Sequence, residues 1–360
     1  MRKFLLPRTL FCLFFLIVIL PAPSCRFSNE PSPAPDTKVV QKAKDEHGLK
    51  LILENALTVA PAKVSVLFKV RDADDKPDTT LDCGNFTLFE DNDSTSIYES
   101  AHKVKKRPEV LKMRVLLLLD LSGSIIKHDR SLKKLIDASR RFVRKLLPKY
   151  AANVEVGVFW FDGGAQINQL AAFTTDTVTL QYKIASLDTT LKVDLSTNLN
   201  GAIVEGIKAV KNKTGKAGET VSYGALVLFT DGTDRAARVA EPEAVKAVDG
   251  AGPLVLVYTI GVGGEIDLLK LERFGKDDFF YADDIDKLGL KFESAAQSIK
   301  EELASRYLVE YCSPRRKGRH QLKIKAYTAS VQTKQYASLT LEYSADNFSG
   351  GCNLYMPCPR

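Results

Sequence analysis

No Gly-rich phosphate loop of the Walker type occurs in this sequence, which argues against a nucleotide-driven motor. Histidine is scarce: His47, His102, His128 and His320 are the only four in 360 residues, and they are scattered. Only His128 lies near a candidate site along the chain, so a histidine-assisted hydrolase is disfavoured. Cysteine is sparse too, six in all, with no paired Cys-x-x-Cys spacing, so thiolate zinc sites are not expected. Neither sign of charge dominates. The net charge is +7, and Arg2, Lys3 and Arg8 supply three of it while the first 24 residues hold no acid, which leaves +4 for the remainder. Nucleic-acid binding would need a concentrated basic face, so no nucleic-acid partner is expected. The remaining composition is ordinary for a globular protein, 45% hydrophobic and 26% charged. The length suffices for two domains and a substantial core.

Residues 1–24 have the pattern of a secretory signal. Arg2, Lys3 and Arg8 precede the apolar run Leu10–Leu20, and Pro21-Ala22-Pro23-Ser24-Cys25 follows. An apolar core of about 11 residues is short for a membrane span. Cys25 directly after Ser24 resembles a bacterial lipoprotein cleavage site, at which the cysteine is lipidated. Ala22 stands where Leu is usual, and Pro23 also departs from that pattern. The expectation is an exported lipoprotein, anchored to a membrane through Cys25 in the periplasm or on the cell surface. A simple cleaved signal and an uncleaved anchor are the alternatives. Residues 25–45 are expected to form a tether, Pro- and Ser-rich at its start.

Cys12 lies in the signal and Cys25 is the lipidation candidate. Cys83, Cys312, Cys352 and Cys358 remain, and four cysteines in an exported protein predict two disulfides with three connectivities. Cys352 and Cys358 sit in a Gly/Pro-rich tail that would fray unless fastened. The favoured pairing is Cys312–Cys352 with Cys83–Cys358, which makes 353–360 a disulfide-tied tail.

Two blocks of the chain have β character. Leu49–Leu53, Val64–Val70, Phe86–Phe89 and Ser96–Tyr98 form the first, with period-two alternation clearest over Val64–Val70. Arg306–Cys312, Gln321–Tyr327 and Ser338–Tyr343 form the second. Neither block buries a face alone, and joined they provide six or seven strands, enough for a small sandwich. The expectation is a discontinuous β domain, residues 46–111 plus 306–352, with an inserted domain over 112–305. The insert alternates apolar strands with amphipathic helices. Val154–Phe161 is a strand with Ile167–Phe173 antiparallel beside it, Leu254–Val262 is another strand, and Ser131–Leu147, Asn200–Val210 and Ile285–Ser305 are helices. That alternation predicts an α/β fold with a mostly parallel central sheet flanked by helices on both faces.

The most informative stretch is Val115–Ile125. Five apolar residues, the mark of a buried parallel strand, run straight into Asp120-Leu121-Ser122-Gly123-Ser124. This places one carboxylate and two hydroxyls on the loop at the carboxyl end of the strand, where open α/β sheets bind their ligands. Such a hard oxygen set suits Mg²⁺, Mn²⁺ or Ca²⁺ rather than zinc or copper. A second apolar strand ends at Thr230-Asp231-Gly232. Between the two lies the polar stretch Ser196-Thr197-Asn198, which opens a helix.

This order of strand–DxSxS, loop–Thr–helix and strand–Thr-Asp-Gly resembles the von Willebrand factor A-type domain and its metal-ion-dependent adhesion site. The resemblance covers 112–305 and implies a Rossmann-like fold with a divalent metal, Mg²⁺ or alternatively Mn²⁺ or Ca²⁺. Asp120, Ser122, Ser124, Thr197 and Asp231 would hold it. It also implies a protein partner whose exposed Asp or Glu completes the coordination. A plainer account is that Ser122 and Thr197 merely cap helices. A metal that serves only to stabilise the loops of an envelope scaffold is the second alternative. Arg235 and Arg238 follow Asp231 closely and are candidate partner contacts, or else the solvated start of a helix. Phosphotransferases of the haloacid-dehalogenase type share Asp231-Gly232-Thr233, but their nucleophile would fall on Phe229, which cannot form an acyl-phosphate. The sequence therefore points to a binding module and not to an enzyme.

Overall fold

The apolar run that ends at Asp120 is buried on both faces. In the computed structural model, which describes residues 44–94, 102–106, 108–147, 153–328, 336–352 and 354, it is the strand Leu111–Asp120 inside a seven-stranded sheet. The order across the sheet is Asp278–Ala282, Val255–Val262, Thr220–Thr230, Leu111–Asp120, Val154–Phe161 and Asn168–Thr174. All of these neighbours pair in parallel except Asn168–Thr174, which runs antiparallel to Val154–Phe161. The short strand Gly215–Ala217 folds back antiparallel on Thr220–Thr230.

Alternation explains why the run carries no polar residues. Val115, Leu117 and Leu119 face one side and Leu116 and Leu118 the other. Helices Asp129–Leu146, Thr177–Ala185 and Leu288–Ala304 cover the first side. Helices Leu199–Lys211 and Glu241–Asp249 cover the second. A strand enclosed in this way has no solvent face. The fold is the expected α/β class. Helix Asp129–Leu146 buries Leu132, Leu135, Ala138, Ser139, Phe142, Val143 and Leu146, a stripe at helical spacing. The final helix differs from the expected span. Asp284 caps a 3-10 turn at Ile285–Lys287, and the α-helix proper begins at Leu288.

The flanking segments form two antiparallel sheets around one core. One has the order Lys44–His47, Tyr336–Ser344, Arg319–Tyr327, Phe86–Glu90, Asp93–Ser94. The other runs Leu49–Val59, Lys63–Asp72, Arg306–Cys312, His102–Lys106. Both sheets combine strands from before and after the α/β domain. Val64, Val66, Phe68, Leu322, Leu339 and Leu341 share the core between them. The strand His102–Lys106 was not anticipated, because Val104 is its only buried residue and lysines surround it. Such a pattern is that of a protected sheet edge.

The chain passes from helix Leu288–Ala304 into strand Arg306–Cys312 through Ser305 alone, and a buried ionic joint surrounds the crossing. Arg306 is fully buried. Its Nε donates to Glu54 Oε2 at 3.0 Å and its Nη1 lies 3.2 Å from Glu302 Oε2. Arg71 Nη2 meets Glu302 Oε1 at 2.7 Å. The Arg306 guanidinium also stacks over the Tyr223 ring, 4.5 Å from its centroid.

Cys312 and Cys352 are disulfide-bonded with Cα atoms 5.7 Å apart, the expected pair. Cys83 is disulfide-bonded as well. Its expected partner Cys358 lies outside the described residues. So do the signal 1–24, Cys25, the tether up to residue 43, the expected strand Ser96–Tyr98, and the tail apart from residue 354. The Cys312–Cys352 bond spans 40 residues of sequence. We expect Cys352→Ser to lower the unfolding free energy by about 4 kcal/mol in urea titrations, since it releases loop-closure entropy to the unfolded chain.

Candidate metal centre

Asp120 and Asp231 end two adjacent parallel strands. The register pairs Leu119 with Phe229, which sets Asp120 beside Thr230 and leaves Asp231 one residue beyond. After Asp120 the chain turns to a helix on one face of the sheet. After Asp231 it turns to a helix on the other. That divergence is the topological switch point, where a crevice opens at the carboxyl ends of an α/β sheet.

Three loops are stitched together there. Gly123 N donates to Leu195 O at 3.1 Å, which joins the first loop to the second. A Cβ on Gly123 would lie 3.1 Å from the same oxygen, so glycine permits this approach. Thr197 O accepts from Arg235 N at 2.9 Å and Ala236 N at 3.0 Å, which joins the second loop to the third. Ser124 Oγ donates to Asp231 Oδ1 at 2.8 Å and lies 3.3 Å from Ser122 Oγ. The structure thus brings the loops of all five expected ligands to one place. Asp120, Ser122 and Thr197 are buried and form the floor, while Ser124 is exposed at the rim.

The electrostatics of this floor are unbalanced. Asp120 is wholly buried and accepts only neutral hydrogen bonds, from Ser122 N at 2.9 Å and Thr230 Oγ1 at 2.7 Å. Burial, reinforced by the charge of Asp231, pushes the Asp120 carboxyl up to about 7. Burial also raises Asp231, and nearby Glu265 adds to that effect. A buried carboxylate pair of this kind calls for a cation. Two carboxylates and three hydroxyls are a hard oxygen set, and they fit a divalent ion such as Mg²⁺ or Mn²⁺. Among the described residues no cluster of three or more His, Cys, Asp or Glu offers a softer or more acidic alternative.

Residues 115–233 match the von Willebrand factor type A domain. The match covers about a third of the chain and contains all five candidate ligands. Comparison with curated proteins returns no match. Similar solved structures include a von Willebrand factor type A protein from Catenulispora acidiphila, at 9% identity, 85% of this chain, 75% of that one and a TM-score of 0.45. The vWF domain of the type V pili tip protein Mfa5 from Porphyromonas gingivalis shows 16% identity over 54% of this chain and 96% of its own, at a TM-score of 0.40. Proximal thread matrix protein 1 from the mussel byssus, with a zinc-occupied MIDAS motif, shows 15% identity over 57% of this chain, at a TM-score of 0.41. This chain spans about half of the mussel protein, 49%. Likeness at this level does not carry function across.

At this site the plain capping account fails for both hydroxyls. Ser122 occupies an N-cap position but makes no side-chain cap bond. Helix Leu199–Lys211 is capped by Asn198, whose side chain accepts from Gly201 N at 3.2 Å, and not by Thr197. The two candidate arginines part company. Arg238 is exposed but tied to the adjoining loop, donating to Gly163 O and lying 3.6 Å from Asp194 Oδ2. Arg235 is exposed at the rim and pairs with Glu265. Both precede the helix Glu241–Asp249 and lie in the loop.

Three supporting residues escaped the sequence reading. Thr230 orients the Asp120 carboxylate from the neighbouring strand. Asp162 braces the adjoining loop, accepting from Gly164 N and Asp194 N, each at 2.7 Å. Glu265 approaches the rim from the loop after Val255–Val262. For Asp162 a signal existed, since Asp162-Gly163-Gly164 follows an apolar strand. Thr230 stood inside the Thr230-Asp231-Gly232 motif but without a role of its own, and Glu265 carried no signal.

Proposed function

We propose that this protein is a divalent-cation-dependent protein-binding module of the bacterial envelope. One observation supports it above all: the buried Asp120 has no cationic partner among the described residues, its neighbour Asp231 feels only the exposed Arg235, which is already paired with Glu265, and the site opens to solvent at Ser124. Asp120, Ser122, Ser124, Thr197 and Asp231 would hold the metal. When bound, Mg²⁺ or Mn²⁺ supplies a positive charge with a coordination position open to a partner's Asp or Glu. The chain's own residues do the rest. Thr230 and Ser122 N fix the Asp120 carboxylate, and the loops hold their spacing through their own backbone bonds. We assign the site a binding role and no catalytic activity. Export is supported by the leader and by the Cys312–Cys352 disulfide, which forms in an oxidising compartment. Cys25 is the lipid attachment point, and mass spectrometry of the mature N-terminus tests it.

Immobilised protein loaded with Mg²⁺ should retain envelope partners and release them in EDTA. Retention that survives EDTA, with only the melting temperature falling, would favour the scaffold alternative. Arg235→Ala separates metal binding from partner recognition. Its pair with Glu265 is exposed, so stability should change by no more than about 1 kcal/mol. Calorimetric Mn²⁺ affinity should stay within about threefold, while partner retention falls.

A further inference from the structure

The end of the α/β domain opposite the metal centre carries a cavity that the metal reading leaves unused. It encloses about 380 Å³ where the loop before strand Val255–Val262 meets the sheet strands Leu49–Val59 and Lys63–Asp72. Ile52 and Leu53 form one wall, and Pro253 and Leu254 the other. The volume lies in the range of small-molecule sites.

Lys69 lines this largely apolar space. It is the cross-strand partner of Ile52 on one side and of Arg306 on the other. Among the described residues its ammonium makes no hydrogen bond or ion pair. The carboxylates near it are Glu54, which also lines the cavity, Glu302 and Asp277, and all are already engaged, Glu54 by Arg306 at 3.0 Å, Glu302 by Arg71 at 2.7 Å and Asp277 by Lys276 at 3.7 Å. Lys69, Arg71, Arg306 and Lys276 therefore face three carboxylates, and one positive charge is left over. Burial and the two arginines hold the Lys69 amine below the ordinary lysine range, as expected for a cation without a counter-ion. Lys211 and Lys216, both exposed, also line the opening. An apolar wall beside one uncompensated cation is complementary to an organic anion with an apolar body.

We propose that this cavity binds a small amphipathic carboxylate, with its apolar body against Ile52, Leu53, Pro253 and Leu254 and its head group on Lys69. The site is independent of the metal. Titration calorimetry of the full chain with octanoate and with octylamine compares two ligands of one apolar body and opposite charge. Octanoate should bind saturably and at least about tenfold more tightly than octylamine, in EDTA as well as in Mg²⁺. Lys69→Met, which keeps the apolar stem, should weaken octanoate about tenfold and change octanol binding less than twofold. Absence of saturable octanoate binding, equal binding of octylamine, or a folded Lys69→Met protein with unchanged octanoate affinity would each overturn the proposal. The comparison of the two ligands needs no variant, so it decides the matter even if Lys69→Met does not fold.

Discussion

Asp120→Ala should reduce Mn²⁺ affinity by at least about 100-fold in titration calorimetry, and partner retention should fall with it. Asp120 is the only fully buried carboxylate of the five candidate ligands. Its two hydrogen bonds, to Ser122 N and Thr230 Oγ1, hold the carboxylate between two loops. Loss of a residue that merely orients a ligand costs about 10–100-fold in metal affinity, so loss of a charged ligand should cost more. The fold should survive, because the substitution removes a buried charge that is repelled by Asp231. Mn²⁺ binding that persists in a folded Asp120→Ala protein would defeat the assignment.

The metal-free protein should be more stable at pH 5 than at pH 8, and Mg²⁺ should remove most of that difference. The Asp120 carboxyl is raised from 3.8 to about 7, because burial and the charge of Asp231 disfavour its ionised form. A carboxyl raised in the folded state contributes its stability below the unfolded value and loses it as pH rises through the folded value. The window therefore runs from about pH 4 to about pH 7, and the whole loss is on the order of 4 kcal/mol. Asp231 shifts in the same direction. Urea unfolding in EDTA across pH 5–8 measures the slope, and Asp120→Asn should flatten it. A flat profile in the unmodified protein would mean that some other group neutralises the pair. Saturating Mg²⁺ binds the ionised form and so restores stability at the alkaline end.

These two effects share one cause, a buried carboxylate pair whose innermost member, Asp120, has no counter-charge. The same situation recurs with opposite sign around Lys69, where the cations outnumber the carboxylates. Arg306, in contrast, is locked between Glu54 and Glu302 and serves the joint between the two halves of the molecule. Removal of one partner from such a buried group leaves the other uncompensated.

Much of the framework was legible in the residues. The unbroken run Val115–Leu119 could only be a strand covered on both faces, and Leu132, Leu135, Phe142 and Leu146 could only be one stripe of a helix. The carboxylate and hydroxyls after Asp120 were visible because local sequence determines which loop ends a strand. Less was legible where partners are distant. His102–Lys106 belongs to a sheet only because Arg306–Cys312 lies beside it. The sequence by itself determined the α/β alternation, the polar loops at the strand ends and the donor chemistry available there, since periodicity reports local burial. The tertiary structure alone decided that Thr230 would grip Asp120, that Arg238 would be tied to the Gly163 loop while Arg235 paired with Glu265, and that Lys69 would be left without a partner. Each of those outcomes is a balance of charge and hydrogen bonding among residues far apart in the chain, and strand order brings them together.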